Sequence, residues 1–131
     1  MATFEWNDIL GWSEDQVEDL RLVGFSYLKQ GKYDVSIPIF ESLLLLQPDH
    51  LYDLQTLGAL YLEVGKSLQA LSVIERALKL DPAHEPTLLN RTKALFALGY
   101  KRQAIAQAKN LQTASNQAIV NQAGALLLAY A

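Results

Sequence analysis

Apolar residues in this chain recur at a helical spacing, and the pattern repeats every 34 residues. The first copy places apolar or small residues three or four positions apart, at Leu20, Val23, Gly24 and Tyr27. The second copy repeats these positions and the turn residues that follow them, at Leu54, Leu57, Gly58, Tyr61, Gly65 and Pro82. A looser third copy ends near Asn116. Steps of three and four residues indicate one face of a helix, and a fixed period of this length predicts an all-α repeat architecture.

Local signals predict where the first helix begins and ends. Ser13, followed three residues later by Gln16, forms a capping-box pattern. The helix then continues to about Lys29, and Gly31 ends it because glycine adopts a left-handed backbone at little steric cost. Small residues on the inner faces predict close approach of paired helices, at Gly24, Gly58, Ala70 and Ala104.

The second helix of the first copy is predicted over about residues 34–46. Pro38 lies in its first turn or just beyond it, where a missing N–H costs little. We expect the four leucines at 43–46 to face inward together, because a helix in a stacked array contacts both its own partner and the next repeat. Pro48 ends the helix, since the residue before a proline is pushed out of the helical region.

Three polar residues are interpreted as structural from their places in the repeat. His50 and His84 fall at the same position of successive copies, which indicates a loop or capping role and not a catalytic pair. Arg91 stands where the earlier copies have Val23 and Leu57. We expect its stem to pack and its guanidinium to reach water or an acid, with a partner contact as the alternative.

Two segments lie outside the three copies. Residues 1–12 contain both tryptophans, and they either fold back on the first copy or dock on another chain. Residues 117–131 predict a lone helix that caps the array. Its apolar residues spread over more than one face, at Ile119, Val120, Leu126, Leu127, Leu128 and Tyr130. We therefore expect part of this end to be covered by another chain or by a partner.

Composition excludes several classes of function. The chain has no cysteine, so disulfides and thiolate chemistry are absent, and it shows neither metal-ligand spacing nor a glycine-rich phosphate loop. We expect no enzyme activity and no cofactor. A net charge of −3 and few basic residues argue against nucleic-acid binding. The first residues do not have the pattern of a secretion signal, and the longest run of apolar residues and glycine, residues 123–131, is too short to span a bilayer. We expect a cytoplasmic protein.

The charges are unevenly distributed along the chain. Up to His50 there are nine acidic and three basic residues, whereas five basic residues and no acid follow from Pro86 onward. One interpretation is that these charges lie on solvated helix faces. The other is an electrostatic gradient that orients a partner.

The copies, with their shared glycines and prolines, resemble the tetratricopeptide repeat over residues 17–116. The resemblance implies an all-α, right-handed superhelix in a single domain, residues 1–131. It implies three helix-turn-helix repeats, preceded by a short N-terminal segment and followed by a C-terminal capping helix. The boundaries are 1–12 for the segment, 17–50, 51–84 and 85–116 for the repeats, and 117–131 for the capping helix.

A narrower resemblance is to the small chaperones of bacterial type III secretion. It rests on chain size, the three repeats with their flanking segments, the acidic charge and the run Tyr27-x-x-x-Gly31-Lys32-Tyr33. The resemblance implies a chaperone that holds a secreted translocator or needle subunit, with or without a co-chaperone, and lays an extended cargo segment in a concave groove. A general scaffold that assembles a protein complex is the alternative. A homodimer through residues 1–12 or through the C-terminal helix also stays open.

Helix geometry predicts the groove as the face one residue beyond the core face of each repeat's first helix. The groove is predicted to contain Arg21, Phe25, Leu28, Tyr52, Gln55, Ala59, Leu62, Leu89, Lys93 and Phe96. We expect an exposed, largely apolar surface on which the two cations are separated. In the alternative, Phe25 and Phe96 seal adjacent helices. Family members that clamp acidic tails use lysine, asparagine and arginine on this surface. Here Phe25, Ala59 and Leu89 stand at such places, which argues against a clamp.

Overall fold

A computed structural model describes residues 11–130 of the 131-residue chain, and within this range it contains seven α-helices, one short 3₁₀ helix and no β-strand. The helices are α1 (Glu14–Lys29), α2 (Tyr33–Leu46), α3 (Leu51–Glu63), α4 (Ser67–Leu80), α5 (Glu85–Ala97), α6 (Lys101–Asn110) and α7 (Gln117–Tyr130), with the 3₁₀ helix at Leu111–Thr113. The all-α prediction is confirmed. None of the described helices is long and apolar enough to cross a membrane. Most of the predicted N-terminal segment, residues 1–10, lies outside the described residues.

Helix boundaries follow the local signals in the sequence. The Ser13 hydroxyl accepts from the Gln16 backbone N–H at 3.2 Å, and the Gln16 side chain accepts from the Ser13 N–H at 2.9 Å, so the capping box is confirmed. Gly31 adopts a positive φ of 74° after α1, as predicted. Gly65 and Gly99 have φ values of 78° and 84° at the equivalent places in the later copies, where a residue with a Cβ would be strained.

Helix α2 departs from the prediction in one respect. Leu43, Leu44 and Leu46 are buried, but Leu45 is 58% exposed, so the expectation that all four leucines face inward is wrong. Consecutive residues of a helix point about 100° apart, and four in a row therefore cover most of its circumference. Pro38 is the sixth residue of α2, just beyond the first turn.

The helices form two compact units, and the boundary between them falls inside α3, between Leu57 and Gly58. In the N-terminal unit, α1 packs against α2. In the C-terminal unit, α5 packs against both α4 and α6, and α7 packs against α5 and α6. The single-domain assignment made from the sequence stays a prediction.

The buried face of α1 is centred on Val17, Arg21 and Gly24. A Cβ at Gly24 would lie 2.8 Å from Ile39 Cγ2, so this glycine faces α2 directly. Val23, which the periodicity placed on the core face, is 45% exposed, and that part of the prediction is wrong. Because adjacent residues point about 100° apart, Val23 turns away when Gly24 faces α2.

Two apolar clusters form the core of the C-terminal unit. One joins Leu89 of α5 to Leu111, and to Ile119 and Ala123 of α7. The other contains Leu95, Phe96, Ala104 and Ala108, with Leu126 and Leu127 of α7 packed against it. Helix α7 is therefore part of the core of this unit.

A carboxylate fixes the start of α7. Glu85 accepts from the backbone N–H of Ser115 at 2.9 Å, from the Ser115 hydroxyl at 3.0 Å and from the Asn116 N–H at 3.3 Å. These hydrogen bonds, those from Ser115 first, lower the pKa of Glu85 below its ordinary value. The link ties α5 to the residues just before α7.

The polar residues of the repeat have the structural roles expected of them. The His50 ring Nδ1 accepts from the Asp53 backbone N–H at 3.3 Å, so His50 caps the start of α3. His84 is the N-cap residue of α5, but its side chain bonds no backbone N–H, and its Nδ1 lies 2.7 Å from the Thr87 hydroxyl. The guanidinium of Arg91 donates to Glu75 and, at 2.9 Å, to Gln107. Its predicted contact with an acid is confirmed.

Replacing Gly58 by alanine is expected to lower the free energy of unfolding by about 1–3 kcal/mol, because overpacking forces neighbouring side chains apart. The added Cβ would lie 2.7 Å from Ile74 Cγ1, and Ile74 is 1% exposed and has no room to move. Gly124→Ala is the matched control, since its Cβ would meet only Gln112 at 3.5 Å and alanine favours a helix by up to about 1 kcal/mol. Urea denaturation measures both; equal stability of Gly58→Ala and wild type would contradict the packing argument.

Candidate functional site

The ten residues predicted to line a groove fall evenly between the two units. Five belong to the N-terminal unit: Arg21, Phe25, Leu28, Tyr52 and Gln55. The other five belong to the C-terminal unit: Ala59, Leu62, Leu89, Lys93 and Phe96. Each unit has a cavity that brings three of its five together, and these two cavities are the candidate sites.

The cavity of the N-terminal unit has a volume of about 320 Å³ and is lined by Glu18, Arg21, Leu22, Phe25, His50 and Tyr52. Helix α1 supplies four of these residues at steps of three and four along one stripe. Tyr52 belongs to the start of α3, and His50 is the residue just before that helix. The cavity thus lies between α1 and the beginning of α3, within one unit.

One lining residue of this cavity, Arg21, belongs to a buried ion pair. Arg21 is 6% exposed, and its guanidinium donates to both oxygens of the fully buried Asp53, at 2.8 Å each. It also donates to Gln47 at 2.8 Å and to Glu18. The hydrogen bond to Asp53 is the main cause that raises the pKa of Arg21 above its ordinary value, while burial opposes it. Arg21 lines the cavity, but its expected exposure on the groove surface is wrong, because its guanidinium is buried and bonded to two carboxylates.

Apolar and aromatic side chains form the walls of the same cavity. Phe25 is 39% exposed, Tyr52 is 40% exposed and Leu22 is 59% exposed. The ring of Tyr52 meets Phe40 edge-on, with centroids 6.3 Å apart, and Lys29 Nζ lies 5.4 Å from the centre of the Phe25 ring. Both rings are therefore held in place by neighbours while part of their surface stays open. Phe25 therefore does not simply seal the contact between adjacent helices.

The cavity of the C-terminal unit has a volume of about 400 Å³. It is lined by Ala59, Leu62, Glu63, Gly65, Ser67, Asn90, Lys93 and Ala97. The residues come from the end of α3, the turn into α4 and one stripe of α5. Lys93 Nζ lies 3.4 Å from Gln122 of α7. Like the first cavity, it has both an acidic and a basic side chain in its lining, Glu63 and Lys93.

Leu89 and Phe96 are not on an exposed surface, and that part of the prediction is wrong. They are 3% and 7% exposed. Helix α7 covers this side of α5: Leu89 packs with Ile119 and Ala123, and Phe96 stacks on Tyr130 with ring centroids 4.7 Å apart. For Phe96, the alternative that it seals neighbouring helices is confirmed.

The predicted stripe missed residues on both cavities and included others that lie outside them. Leu28 and Gln55 are half-buried and line neither cavity. Glu18 and Leu22 share a helical stripe with Phe25, and Asn90 and Ala97 share one with Lys93. Periodicity alone could have found these four lining residues. His50 lies just before a helix, where no period applies.

The described residues offer little for metal chemistry. Within residues 11–130, no group of three or more histidine, aspartate and glutamate side chains is placed to hold a metal ion. The buried carboxylate of Asp53 is already bonded to Arg21. What both cavities offer a ligand is apolar surface with polar groups at its edge.

A family model of the tetratricopeptide repeat matches residues 54–84, the second copy of the 34-residue period. No curated protein matches the chain in sequence. The sequence match is thus confined to α3, α4 and the loop after α4.

Solved structures resemble almost the whole chain. A type III secretion (T3SS) complex from Aeromonas hydrophila is 20% identical with a TM-score of 0.81, over 97% of this chain and 88% of that one. PcrH in complex with the chaperone binding region of PopD is 27% identical with a TM-score of 0.71, over 92% and 94%. The first tetratricopeptide-repeat domain of Spaghetti (RPAP3), bound to the HSP90 peptide SRMEEVD, is 22% identical with a TM-score of 0.76, over 89% and 94%. The chain has a tetratricopeptide-repeat fold and resembles chaperones of type III secretion.

Proposed function

We propose that this protein is a cytoplasmic chaperone of a type III secretion system, which holds an export substrate by binding an extended apolar segment at the groove predicted from the repeat. The observation that carries the proposal is the aromatic wall of the N-terminal cavity. Phe25 and Tyr52 keep 39% and 40% of their surfaces exposed although both are held by neighbouring side chains. Exposed apolar surface beside a cavity is typical of an interaction site.

The size and charge of the cavities favour an unfolded substrate. At about 320 and 400 Å³, each takes one or two side chains and not a folded surface. An extended chain presents its side chains singly, so it suits such cavities. Arg21 is neutralised by Asp53 and Glu18, and an apolar side chain entering the N-terminal cavity therefore does not desolvate a bare charge.

The proposed partner is a secreted translocator or needle subunit, with a co-chaperone as a further partner. The likeness to PcrH, whose structure contains the chaperone binding region of PopD, supports a partner of this kind. In this role the protein has no enzymatic activity and uses no cofactor, nucleic acid or membrane.

The second candidate is a general scaffold that assembles a protein complex by binding short tails. The observation that favours it is the C-terminal cavity, where Asn90 and Lys93 lie on one stripe of α5. An amide and an ammonium group are both hydrogen-bond donors suited to a carboxylate. The structural neighbour that binds an HSP90 peptide shows that the fold accommodates such tails in another protein. Phe25 and Leu22 in the other cavity argue for the apolar segment.

Affinity purification from the native cell, read by mass spectrometry, tests the choice between the two. We expect the wild-type protein to recover a translocator or needle subunit. A variant that carries both Phe25→Asp and Leu62→Asp, used as the bait, should recover neither kind of subunit. Recovery of folded partners or acidic tails alone, equally by both baits, would contradict the chaperone proposal and favour the scaffold.

A further inference from the structure

The face of α1 that begins the repeat array is apolar and partly uncovered. Leu20, Val23 and Tyr27 form this face, and Val23 is 45% exposed. In the next copy the equivalent Leu54 and Leu57 are only 0% and 2% exposed. A repeat array buries this face under the helix that precedes it. Within residues 11–130, no helix precedes α1.

Helix α7, at the other end of the described chain, exposes a face without any charge. Its exposed side chains are Gln117, Ala118, Asn121, Gln122, Ala125, Leu128, Ala129 and Tyr130. Leu128 is 89% exposed, more than any other large apolar side chain described. No Asp, Glu, Lys, Arg or His occurs anywhere in α7. An uncharged helix with an exposed leucine is unusual on the surface of a protein in water, where charged residues normally dominate exposed helix faces.

The two units carry opposite net charge. Residues 11–57 contain eight acidic and three basic residues, whereas residues 58–130 contain four acidic and eight basic residues. Helix α1 has four acids, while α6, which packs against α7, has three basic residues and no acid. A contact between the same unit of two copies would bring like charges together. A contact between the N-terminal unit of one copy and the C-terminal unit of another would bring complementary charges together.

From the partly exposed face of α1, the uncharged face of α7 and the opposite net charges of the two units, we propose that two copies of this chain associate head to tail. Helix α7 of one copy lies on the Leu20–Val23–Tyr27 face of α1 in the next. The contact is heterologous, so in a pair of copies one keeps its α1 face free and the other keeps its α7 face free for a further copy. One helix against another buries less surface than a standard interface, and the association is therefore weak and depends on concentration. This contact does not involve either cavity and is independent of the proposed function.

Sedimentation velocity of the full chain, over micromolar to millimolar concentrations, tests the proposal. We expect the wild-type mass to rise with concentration beyond a dimer, and added salt to weaken the association because it screens the opposite charges. Val23→Asp blocks the α1 face and Leu128→Lys blocks the α7 face. Each variant alone should stay monomeric. An equimolar mixture should form a 1:1 dimer and nothing larger, because each variant retains the face that the other lacks.

Leu68→Lys is the control, since Leu68 is also an exposed leucine of the C-terminal unit, at 66%, but lies on α4. It should associate like the wild type, and circular dichroism should show unchanged helicity in all variants. Self-association of either single variant would make the contact symmetric, α1 on α1 or α7 on α7, and overturn the proposal. A mixture that stays monomeric while the wild type associates would overturn it as well. A salt-strengthened association would do the same, and so would a wild type that is monomeric at every concentration.

Discussion

Replacing Asp53 by alanine is expected to lower the free energy of unfolding by about 3–5 kcal/mol, the range for breaking a buried ion pair from one side. The reason is the guanidinium of Arg21, which is 6% exposed and bonded to both oxygens of Asp53. Without the carboxylate, a positive charge stays inside the N-terminal unit with no full counter-charge. Denaturation in urea, followed by circular dichroism, measures the loss.

Glu18→Ala is the matched control for this variant. Glu18 also bonds Arg21, but its side chain is 59% exposed, so its removal is expected to change stability by about 1 kcal/mol or less. A double variant that replaces Arg21 by methionine and Asp53 by leucine should recover most of the lost stability, because it removes both charges together. If Asp53→Ala and Glu18→Ala lowered the free energy of unfolding by equally small amounts, burial would not determine the strength of the Arg21–Asp53 ion pair.

Replacing Phe25 or Leu62 by aspartate is expected to weaken binding of an apolar export segment at least a hundredfold, or about 2.7 kcal/mol by the relation between affinity and free energy. The aspartate would place a charge where desolvated apolar contacts form. Phe25 belongs to the cavity of the N-terminal unit and Leu62 to that of the C-terminal unit, so the two variants test the cavities separately. Isothermal titration calorimetry with a cargo segment measures the affinity.

Leu68→Asp adds the same charge at an exposed apolar residue that lines neither cavity, and it should bind as the wild type does. Because Phe25 is exposed, helicity should change little in its variant. Normal binding by both Phe25→Asp and Leu62→Asp would show that these cavities are not the substrate site. A loss in only one variant would assign recognition to one unit.

The ends of the helices could be predicted from the sequence because their signals are local. Ser13 and Gln16 cap α1 across three residues, and Gly31, Gly65 and Gly99 each take the left-handed backbone within a single turn. The 34-residue period likewise predicts the number of helix pairs, since it compares the chain with itself. None of these predictions requires knowledge of which helices pack against each other.

The rotation of each helix about its axis could not be predicted in the same way, because distant partners fix it. The core side of α1 includes Arg21 and not Val23, since Asp53, 32 residues further along, accepts the guanidinium. Arginine is usually a surface residue, so the sequence pattern around Arg21 does not indicate that its side chain is buried. Leu89 and Phe96 turn inward because α7 lies on them, and the groove prediction did not include that helix. Errors of about one helical position therefore affected the predicted site more than the predicted fold.

The stack of Tyr130 on Phe96 has a consequence for selectivity. The two rings lie nearly parallel, at an interplanar angle of 16°, and belong to one polypeptide. Tyr130 therefore competes for the Phe96 ring as part of the same chain, without the loss of translational freedom that a separate ligand undergoes on binding. A ligand side chain could take this place only by displacing the end of α7. The stripe of Asn90, Lys93 and Ala97 on the same helix has no such internal competitor in its cavity lining, so the two sides of α5 differ in what they can accept.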